Sequence, residues 1–194
     1  VGWYDPFSRY DLVYQSKVFA NTPDYQFIIN ADKVVKGGTG YAIHGAGGEH
    51  YCKADDPALP DEVEHIYPDY GLYGITDKAI GFLTRGCPRG CLFCIVAGKE
   101  GKRSRKVADL SEFWSGQKNI VLCDPNILAC PDWRDLFQQL ADSRATIDFN
   151  QGLDARMLTE EKIAAIERLK IKEIHFAWDR YEDKQLVLPK LKMF

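Results

Sequence analysis

The chain has 194 residues, and its 25 lysines and arginines against 28 aspartates and glutamates give a formal net charge of -3. This near balance excludes a protein that binds polyanions over its whole surface, and 45% hydrophobic with 27% charged residues excludes disordered and collagen-like chains. No stretch approaches the roughly 20 apolar residues that span a bilayer, and the N-terminus lacks the basic-then-apolar order of a signal peptide. We therefore expect a cytoplasmic protein with no membrane partner.

The first third of the chain is rich in turn-forming residues. Residues 11–19 combine partial alternation with β-branched and aromatic side chains, which predicts a strand. Glycine-bearing stretches at 37–40 and 45–48 follow, and a turn-rich aromatic segment covers residues 68–74. We place a domain junction near residues 74–77, which predicts one domain over residues 1–77 and a second over residues 78–194.

From residue 79 the pattern changes to strands that alternate with helices. Apolar runs of strand length lie at residues 79–84, 119–122, 146–149 and 173–178. Apolar residues at helical spacing predict a helix over 133–143, capped by Asp132, and another helix that starts at Thr159. This alternation favours parallel pairing with right-handed crossovers, so we predict an α/β sheet or barrel whose chemistry lies at the carboxyl ends of the strands.

The loop after the first of these strands carries Cys87, Cys91 and Cys94, in the spacing C-x3-C-x2-C. Three thiols this close oxidise readily unless a soft metal centre binds them, so they are interpreted as ligands and not as disulfide partners. A structural zinc site normally has four protein ligands, and no fourth cysteine or histidine follows at short spacing. A four-iron cluster held by three cysteines leaves one iron open to a substrate or cofactor.

This motif, with Phe93 just before the last cysteine and a predicted strand before the loop, resembles the signature of the radical S-adenosylmethionine (radical SAM) superfamily. The resemblance implies that the three cysteines bind a [4Fe-4S] cluster and that S-adenosylmethionine binds the open iron. It implies reductive cleavage of that cofactor to a 5′-deoxyadenosyl radical, which abstracts hydrogen from a substrate. It also implies a partial (β/α)6 barrel of TIM-like type and an external electron donor similar to flavodoxin or ferredoxin.

Polar residues after the other strands are candidate contacts to this cofactor. Asp124 and Asn126 resemble an acidic turn in the branch of the superfamily with an N-terminal cobalamin-binding-like domain, where they would orient the ammonium group; a turn cap is the alternative. Arg156 resembles an arginine that pairs with the cofactor carboxylate, with a surface ion pair as the alternative. Asp179 stands where relatives have Gly-x-Glu and is a candidate contact to ribose or substrate. The candidate cofactor-binding residues are Phe93, Asp124, Asn126, Gln151, Arg156 and Asp179.

Two further features near these strands have alternative interpretations. Cys123 and Cys130 follow the second strand and are interpreted as buried free thiols, with an auxiliary cluster as the less favoured alternative. Cys52 is isolated and is interpreted as inert. Five basic residues between positions 99 and 106 form a solvated face or, alternatively, a surface that recognises an anionic substrate such as RNA.

The N-terminal third is similar to the end of the cobalamin-binding-like domain of that branch, over residues 34–41, 59–64 and 68–70. The lower-ligand motif Asp-x-His-x-x-Gly is absent, because residues 44–47 lack both the aspartate and the spacing. We therefore expect a degenerate or truncated cobalamin-binding-like segment that does not bind cobalamin.

The sequence thus predicts a radical SAM enzyme whose residues do not select a substrate or a reaction outcome. One alternative is a non-enzymatic iron-sulfur protein for electron transfer or redox sensing, with Cys123 or Cys130 as fourth ligand. Another is a zinc-binding nucleic-acid module, favoured only by the basic residues. Four strands after residue 78 are fewer than the six of the family barrel, and the chain begins at Val1, so we expect a fragment that continues beyond Phe194.

Overall fold

The computed structural model describes residues 4–44 and 50–194, and the chain forms two compact units, Val1–Pro60 and Asp61–Phe194. The glycine-bearing stretch predicted at residues 45–48 lies outside the described residues. The second unit begins before the predicted junction at residues 74–77. Its early segment is fixed by Tyr70, whose hydroxyl donates to the carbonyl of Phe113 at 2.8 Å and accepts from the amide of Ile80 at 2.9 Å.

The first unit contains two small sheets. The predicted strand over residues 11–19 is confirmed as β1, which ends earlier, at Ser16, and pairs in parallel with β2. A short helix then leads into an antiparallel pair, in which Ile43 faces Tyr51 and His44 faces His50. The elements are β1 (Tyr10–Ser16), β2 (Ala31–Gly37), α1 (Thr39–Ala42), β3 (Ile43–His44), β4 (His50–Tyr51) and a 3-10 turn at Lys53–Asp55.

The second unit is built on a parallel sheet of four strands in the order β10-β9-β8-β5, and β6 pairs with β7 antiparallel beside it. Its strands are β5 (Lys78–Gly81), β6 (Thr84–Arg85), β7 (Arg105–Lys106), β8 (Asn119–Leu122), β9 (Thr146–Phe149) and β10 (Lys170–Ile171). Its helices are α2 (Asp61–Glu64), α3 (Val96–Lys99), α4 (Trp133–Ser143), α5 (Glu160–Glu167) and α6 (Lys184–Met193). Shorter 3-10 turns lie at Tyr70–Tyr73, Leu110–Glu112, Ile127–Ala129, Ala155–Met157 and Tyr181–Asp183.

The core of this unit lies between the sheet and its crossover helices. The predicted helix over residues 133–143 is confirmed as α4, which buries Leu136, Phe137 and Leu140. Asp132 stands at its N-cap position but makes no capping hydrogen bond through its side chain, so that part of the prediction is wrong. The helix predicted from Thr159 is confirmed, because the Thr159 hydroxyl caps α5 by accepting from an amide of its first turn.

The strand predicted over residues 173–178 is not formed. The fourth strand of the sheet is β10, and the later apolar run makes only an isolated parallel bridge between Phe176 and Leu153. The edge of β9 is already paired with β10, and in the loop after β9 the amide of Leu153 donates to the carbonyl of His175 at 2.8 Å. The run therefore pairs with that loop and not with β9.

The predicted α/β class with a parallel sheet is confirmed. Within residues 61–194 the four strands do not close into a barrel. In the described part of the chain, no helix combines the length and apolar content that crossing a bilayer requires.

Candidate metal and cofactor site

The cysteine motif lies in the loop between β6 and α3, beyond the carboxyl end of β5. Cys87 and Cys91 are half-buried and Cys94 is exposed. The amide of Cys87 donates to the carbonyl of Gly101 at 3.2 Å, and the amide of Cys94 donates to the carbonyl of Cys91 at 3.0 Å. The backbone of the loop is thus ordered while its three thiols have access to a ligand.

Gly86 sets the conformation at the start of this loop. Its φ is +86°, and a Cβ at this position would lie 2.2 Å from the carbonyl oxygen of Arg103. The half-buried carboxylate of Glu100 holds the same point, because it accepts from the amide of Gly86 at 2.9 Å and from Nη1 of Arg85 at 2.9 Å. Only glycine fits where the backbone at residue 86 passes this close to the backbone at Arg103. This close approach fixes the start of the loop, directly before Cys87.

The spacing of the three thiols is informative about the kind of centre they can bind. Among the described residues, the sulfur atoms of Cys87, Cys91 and Cys94 do not all lie within 4.8 Å of one another. Ligands of one tetrahedral zinc ion lie roughly 3.3–3.8 Å apart, given bonds of about 2.0–2.3 Å. A multinuclear cluster binds each thiolate through a different iron, so it suits a wider set of sulfurs. The three sulfurs are therefore spaced more widely than the ligands of one tetrahedral zinc ion.

Asn126 connects the cysteine loop to the turn after β8. Its Nδ2 donates to Sγ of Cys87 at 3.6 Å and to Oδ2 of Asp154 at 3.1 Å. Its Oδ1 is buried and, with Oγ of Ser104, is one of the buried side-chain atoms of the described residues without a hydrogen-bond partner. A buried acceptor left unpaired is costly unless a ligand supplies the donor. The predicted residue Asn126 thus lies beside Cys87 and has an acceptor without a hydrogen-bond partner.

Asp154 is the centre of the polar network at this edge. Its carboxylate accepts from Nε of Arg89 at 2.7 Å and from Nε of Arg156 at 2.6 Å, and Arg156 also pairs with Asp183 at 2.7 Å. Burial alone would raise the pKa of Asp154, but the hydrogen bonds from Arg156 and Arg89 outweigh it and lower that pKa. Asp154 is therefore a carboxylate that ties together the loops after β6, β8 and β9.

Arg89, Asp154 and Asp183 belong to this network but were not predicted from the sequence, and the first two pair with each other. Arg89 lies inside the C-x3-C interval, and Asp154 lies in the polar run after the third strand, two residues before Arg156. The positions of Arg89 and Asp154 after predicted strands were the only signal in the sequence that could have identified them. Their pairing could not be predicted, because 65 residues separate them and they meet only where two loops come together.

Asp124 lies beneath the site and is almost fully buried. Its carboxylate accepts from the hydroxyl and amide of Thr84, both at 2.6 Å, and from the amide of Leu83 at 3.2 Å. Burial raises the pKa of Asp124 to about 6, against these hydrogen bonds. In this geometry Asp124 braces the turn after β8 against the start of β6, and its expected contact with a cofactor stays a prediction.

The remaining candidates are not drawn into the network. Phe93, Gln151 and Asp179 are exposed. Among the hydrogen bonds and ion pairs of residues 61–194, none joins these three to Cys87, Asn126 or Asp154. Arg156 is present at the site, but two of its nitrogens are occupied by carboxylates of the chain itself.

The other cysteines and the basic residues have structural surroundings of their own. Burial raises the pKa of the Cys123 thiol and of the Cys130 thiol, which disfavours the thiolate that a metal needs. In the basic run, Lys106 pairs with Asp109 at 2.6 Å and with Asp135 at 2.8 Å. That lysine is thereby committed to the fold and is less available to an anionic substrate.

No protein-family model, curated protein or solved structure matches the chain. The functional interpretation therefore depends on the cysteine motif and on the contacts described above.

Proposed function

We propose that the chain is part of a radical SAM enzyme, with a [4Fe-4S] cluster bound by Cys87, Cys91 and Cys94. The observation that carries the proposal is the contact of Asn126 with Cys87. It sets a buried, unpaired acceptor beside the first of three accessible thiols, at the carboxyl edge of a parallel sheet. Substrate sites of α/β folds lie at this edge. The alternatives, an electron-transfer protein or a zinc module, assign no ligand to this acceptor.

When bound, the reduced cluster supplies the electron that cleaves S-adenosylmethionine and releases a 5′-deoxyadenosyl radical able to take hydrogen from a substrate. The side chains of the chain have supporting tasks. Asn126 would offer Oδ1 to the amino group of the cofactor, and its Nδ2 already donates to the sulfur of Cys87 at 3.6 Å, which would orient that ligand. Glu100 and Gly86 fix the start of the loop, so the ligands are held before the cluster assembles.

Asp154 keeps the site rigid and electrically balanced. Arg89 and Arg156 each carry a positive charge, and Asp154 and Asp183 neutralise them within hydrogen-bond distance. The cofactor carboxylate, expected from the sequence to pair with Arg156, would add to this arrangement. Phe93, Gln151 and Asp179 are exposed and remain available for cofactor or substrate. Their roles, like that of Asp124, belong to the proposal.

The strand order supports the proposed partial (β/α)6 barrel. The strand order is β10-β9-β8-β5, so each strand of this sheet lies next to the one that precedes it along the chain, always on the same side. A doubly wound sheet reverses its strand order at a switch point, whereas a TIM-like barrel adds its strands in one direction. The four strands are thus consistent with one sector of such a barrel.

The other expectations from the sequence complete the proposal. The first unit, with its parallel pair of β1 and β2, would be a degenerate cobalamin-binding-like segment without cobalamin. The enzyme would work in the cytoplasm, where its thiols stay reduced, and take electrons from a flavodoxin- or ferredoxin-like donor. The basic residues near the loop, apart from Lys106, would form a solvated face or, alternatively, a surface for an anionic substrate such as RNA.

Anaerobic reconstitution with iron and sulfide tests the cluster assignment. We expect about four irons per chain and an electron paramagnetic resonance signal that changes when S-adenosylmethionine is added. Cys87→Ser, Cys91→Ser and Cys94→Ser should each lose the cluster, and Cys52→Ser should keep it. A signal that ignores the cofactor, or a cluster that Cys123→Ser or Cys130→Ser abolishes, would instead identify a four-cysteine electron-transfer protein.

A further inference from the structure

A group of side chains of the types that bind metals lies in the first unit, on the antiparallel pair of β3 and β4 and the 3-10 turn after it. Residues opposite each other in an antiparallel pair point to the same face, and the faces alternate along the strand. The amide of Cys52 donates to the carbonyl of Ala42 at 2.8 Å, which continues the ladder that pairs His44 with His50. Cys52 therefore shares a face with His44, two residues along the ladder.

The turn then brings a carboxylate to the same face. Asp55 closes the 3-10 turn that begins after Cys52, and its amide donates to the carbonyl of Cys52 at 3.1 Å. Nε2 of His44 and Oδ2 of Asp55 lie 2.7 Å apart. The ligand atoms of His44, Cys52 and Asp55 all lie within 4.8 Å of one another, and among the described residues no other three histidine, cysteine or acidic residues meet that condition.

We propose that His44, Cys52 and Asp55 form a mononuclear Zn²⁺ site, separate from the cysteine loop and independent of the function proposed above. Imidazole nitrogen, thiolate and carboxylate oxygen are the three kinds of zinc ligand in proteins. Two ligand atoms of one tetrahedral zinc ion lie roughly 3.3 Å apart for bonds of about 2.0–2.1 Å. Binding therefore requires that the histidine and the aspartate separate by ~0.6 Å, with the ion in place of the hydrogen between them. The sulfur of Cys52 lies within 4.8 Å of both ligand atoms.

The exposure of the group supports an ion that stays accessible. The side chains of His44 and Asp55 are each about half exposed, at 55% and 50%, and Cys52 is half-buried. An exposed ion pair of this kind contributes only ~0–1 kcal/mol by itself. Hydrogen bonds from His44 and then from the Cys52 thiol lower the pKa of Asp55, so all three groups already contact one another. With three protein ligands, the fourth position of the ion is open to water or to a small ligand.

Cobalt titration tests the site with a spectroscopic readout, because Co²⁺ occupies zinc sites and gives a thiolate-to-metal charge-transfer band. The titration uses the full chain with Cys87→Ser, Cys91→Ser and Cys94→Ser, so that Cys52 is the ligand under test. We expect one Co²⁺ per chain with a charge-transfer band, and displacement by one equivalent of Zn²⁺. Replacing Cys52 by serine should abolish the band.

His44→Ala and Asp55→Ala should each weaken binding by more than about 10-fold, the lower end of what loss of even an outer-shell partner costs. Both side chains are half exposed, so circular dichroism should remain unchanged. His65→Ala is the matched control, because His65 also pairs with a partly exposed carboxylate, that of Glu112 at 2.6 Å, but among the described residues no cysteine completes a three-ligand group with them. The proposal is wrong if the band is missing, if it survives Cys52→Ser, or if His65→Ala weakens binding as much as His44→Ala.

Discussion

Gly86→Ala places a methyl group where the backbone at residue 86 passes close to the carbonyl of Arg103, at the start of the cysteine loop. The resulting loss of stability can be calculated from the structure. A Cβ at Gly86 would lie 2.2 Å from the carbonyl oxygen of Arg103, whereas real Cβ contacts are essentially never under 3.0 Å, so the backbone must move by about 0.8 Å. The positive φ of +86° costs an alanine ~1–2 kcal/mol. The forced displacement adds ~1–3 kcal/mol, as overpacking does. We therefore expect Gly86→Ala to lower the free energy of unfolding by ~2–5 kcal/mol in total.

Gly101→Ala separates these two contributions. Gly101 lies in the same region with a φ of +99°, but a Cβ at this position would have no neighbouring atom within 4 Å, so alanine there meets only the backbone cost of ~1–2 kcal/mol. Urea unfolding followed by tryptophan fluorescence gives both values, because three of the four tryptophans, at positions 114, 133 and 178, report on the second unit.

The same two variants test the link between the loop and the cluster. Iron bound after reconstitution should fall in Gly86→Ala, because Cys87 follows the displaced residue directly, and should stay near wild type in Gly101→Ala. If Gly86→Ala is no less stable than Gly101→Ala and binds as much iron, the close approach at Arg103 does not position the ligands.

Two further predictions concern buried carboxylates. Asp154→Asn removes the charge that Arg89 and Arg156 share, and should lower the free energy of unfolding by ~3 kcal/mol, the low end for a buried pair that loses one partner, because Arg89 is partly exposed. Asp124 has a folded-state pKa of about 6 against its usual 3.8, so the folded protein holds its proton more tightly than the unfolded chain. This contribution to stability is full below pH 3.8 and is lost as pH rises through about 6, a change of ~3 kcal/mol measurable by urea unfolding across that range.

Each of these predictions has its own control. Glu161→Gln removes an acidic partner from an exposed pair with Arg134 and should cost less than ~1 kcal/mol. If Asp154→Asn costs no more than that, the Asp154 network does not stabilise the site. For Asp124, the asparagine variant should lack the decline between pH 4 and 6. A variant whose stability falls with pH as the wild type does would assign that decline to other groups.

The regular elements of the second unit were predictable because their apolar residues match one period over the whole element. The runs at residues 119–122 and 146–149 became β8 and β9 with the same bounds, and the stripe of α4 buries the residues that its spacing selected. The run at 173–178 has an equally apolar composition, but it pairs through Phe176 with Leu153. Composition cannot show which of two neighbouring extended segments, residues 170–171 or residues 173–178, pairs with β9.

The position of the cysteine loop was predictable, whereas the contacts around it were less so. The spacing of Cys87, Cys91 and Cys94 places them in one loop whatever the rest of the chain does. The contacts of the polar residues after the strands were harder to predict, because the end of a strand fixes the position of a residue but not the direction of its side chain. Asn126 points to Cys87, whereas Asp124, two residues earlier, points to Thr84.

Cys52 is a residue whose contacts the sequence did not predict. Its isolation in the sequence suggested an inert residue, since the nearest other cysteine along the chain is Cys87. Its neighbours in space are a histidine and an aspartate, which the hairpin register and the following turn bring to one face. Such a group becomes visible only when the pairing of β3 with β4 is known.

The central claim is that the cluster of this chain cleaves S-adenosylmethionine reductively. The most direct measurement is the release of 5′-deoxyadenosine by the reconstituted protein with S-adenosylmethionine, before and after addition of a strong reductant. The account predicts release that depends on the reductant and is absent in Cys91→Ser. A fully loaded cluster that releases no 5′-deoxyadenosine after reduction would contradict it.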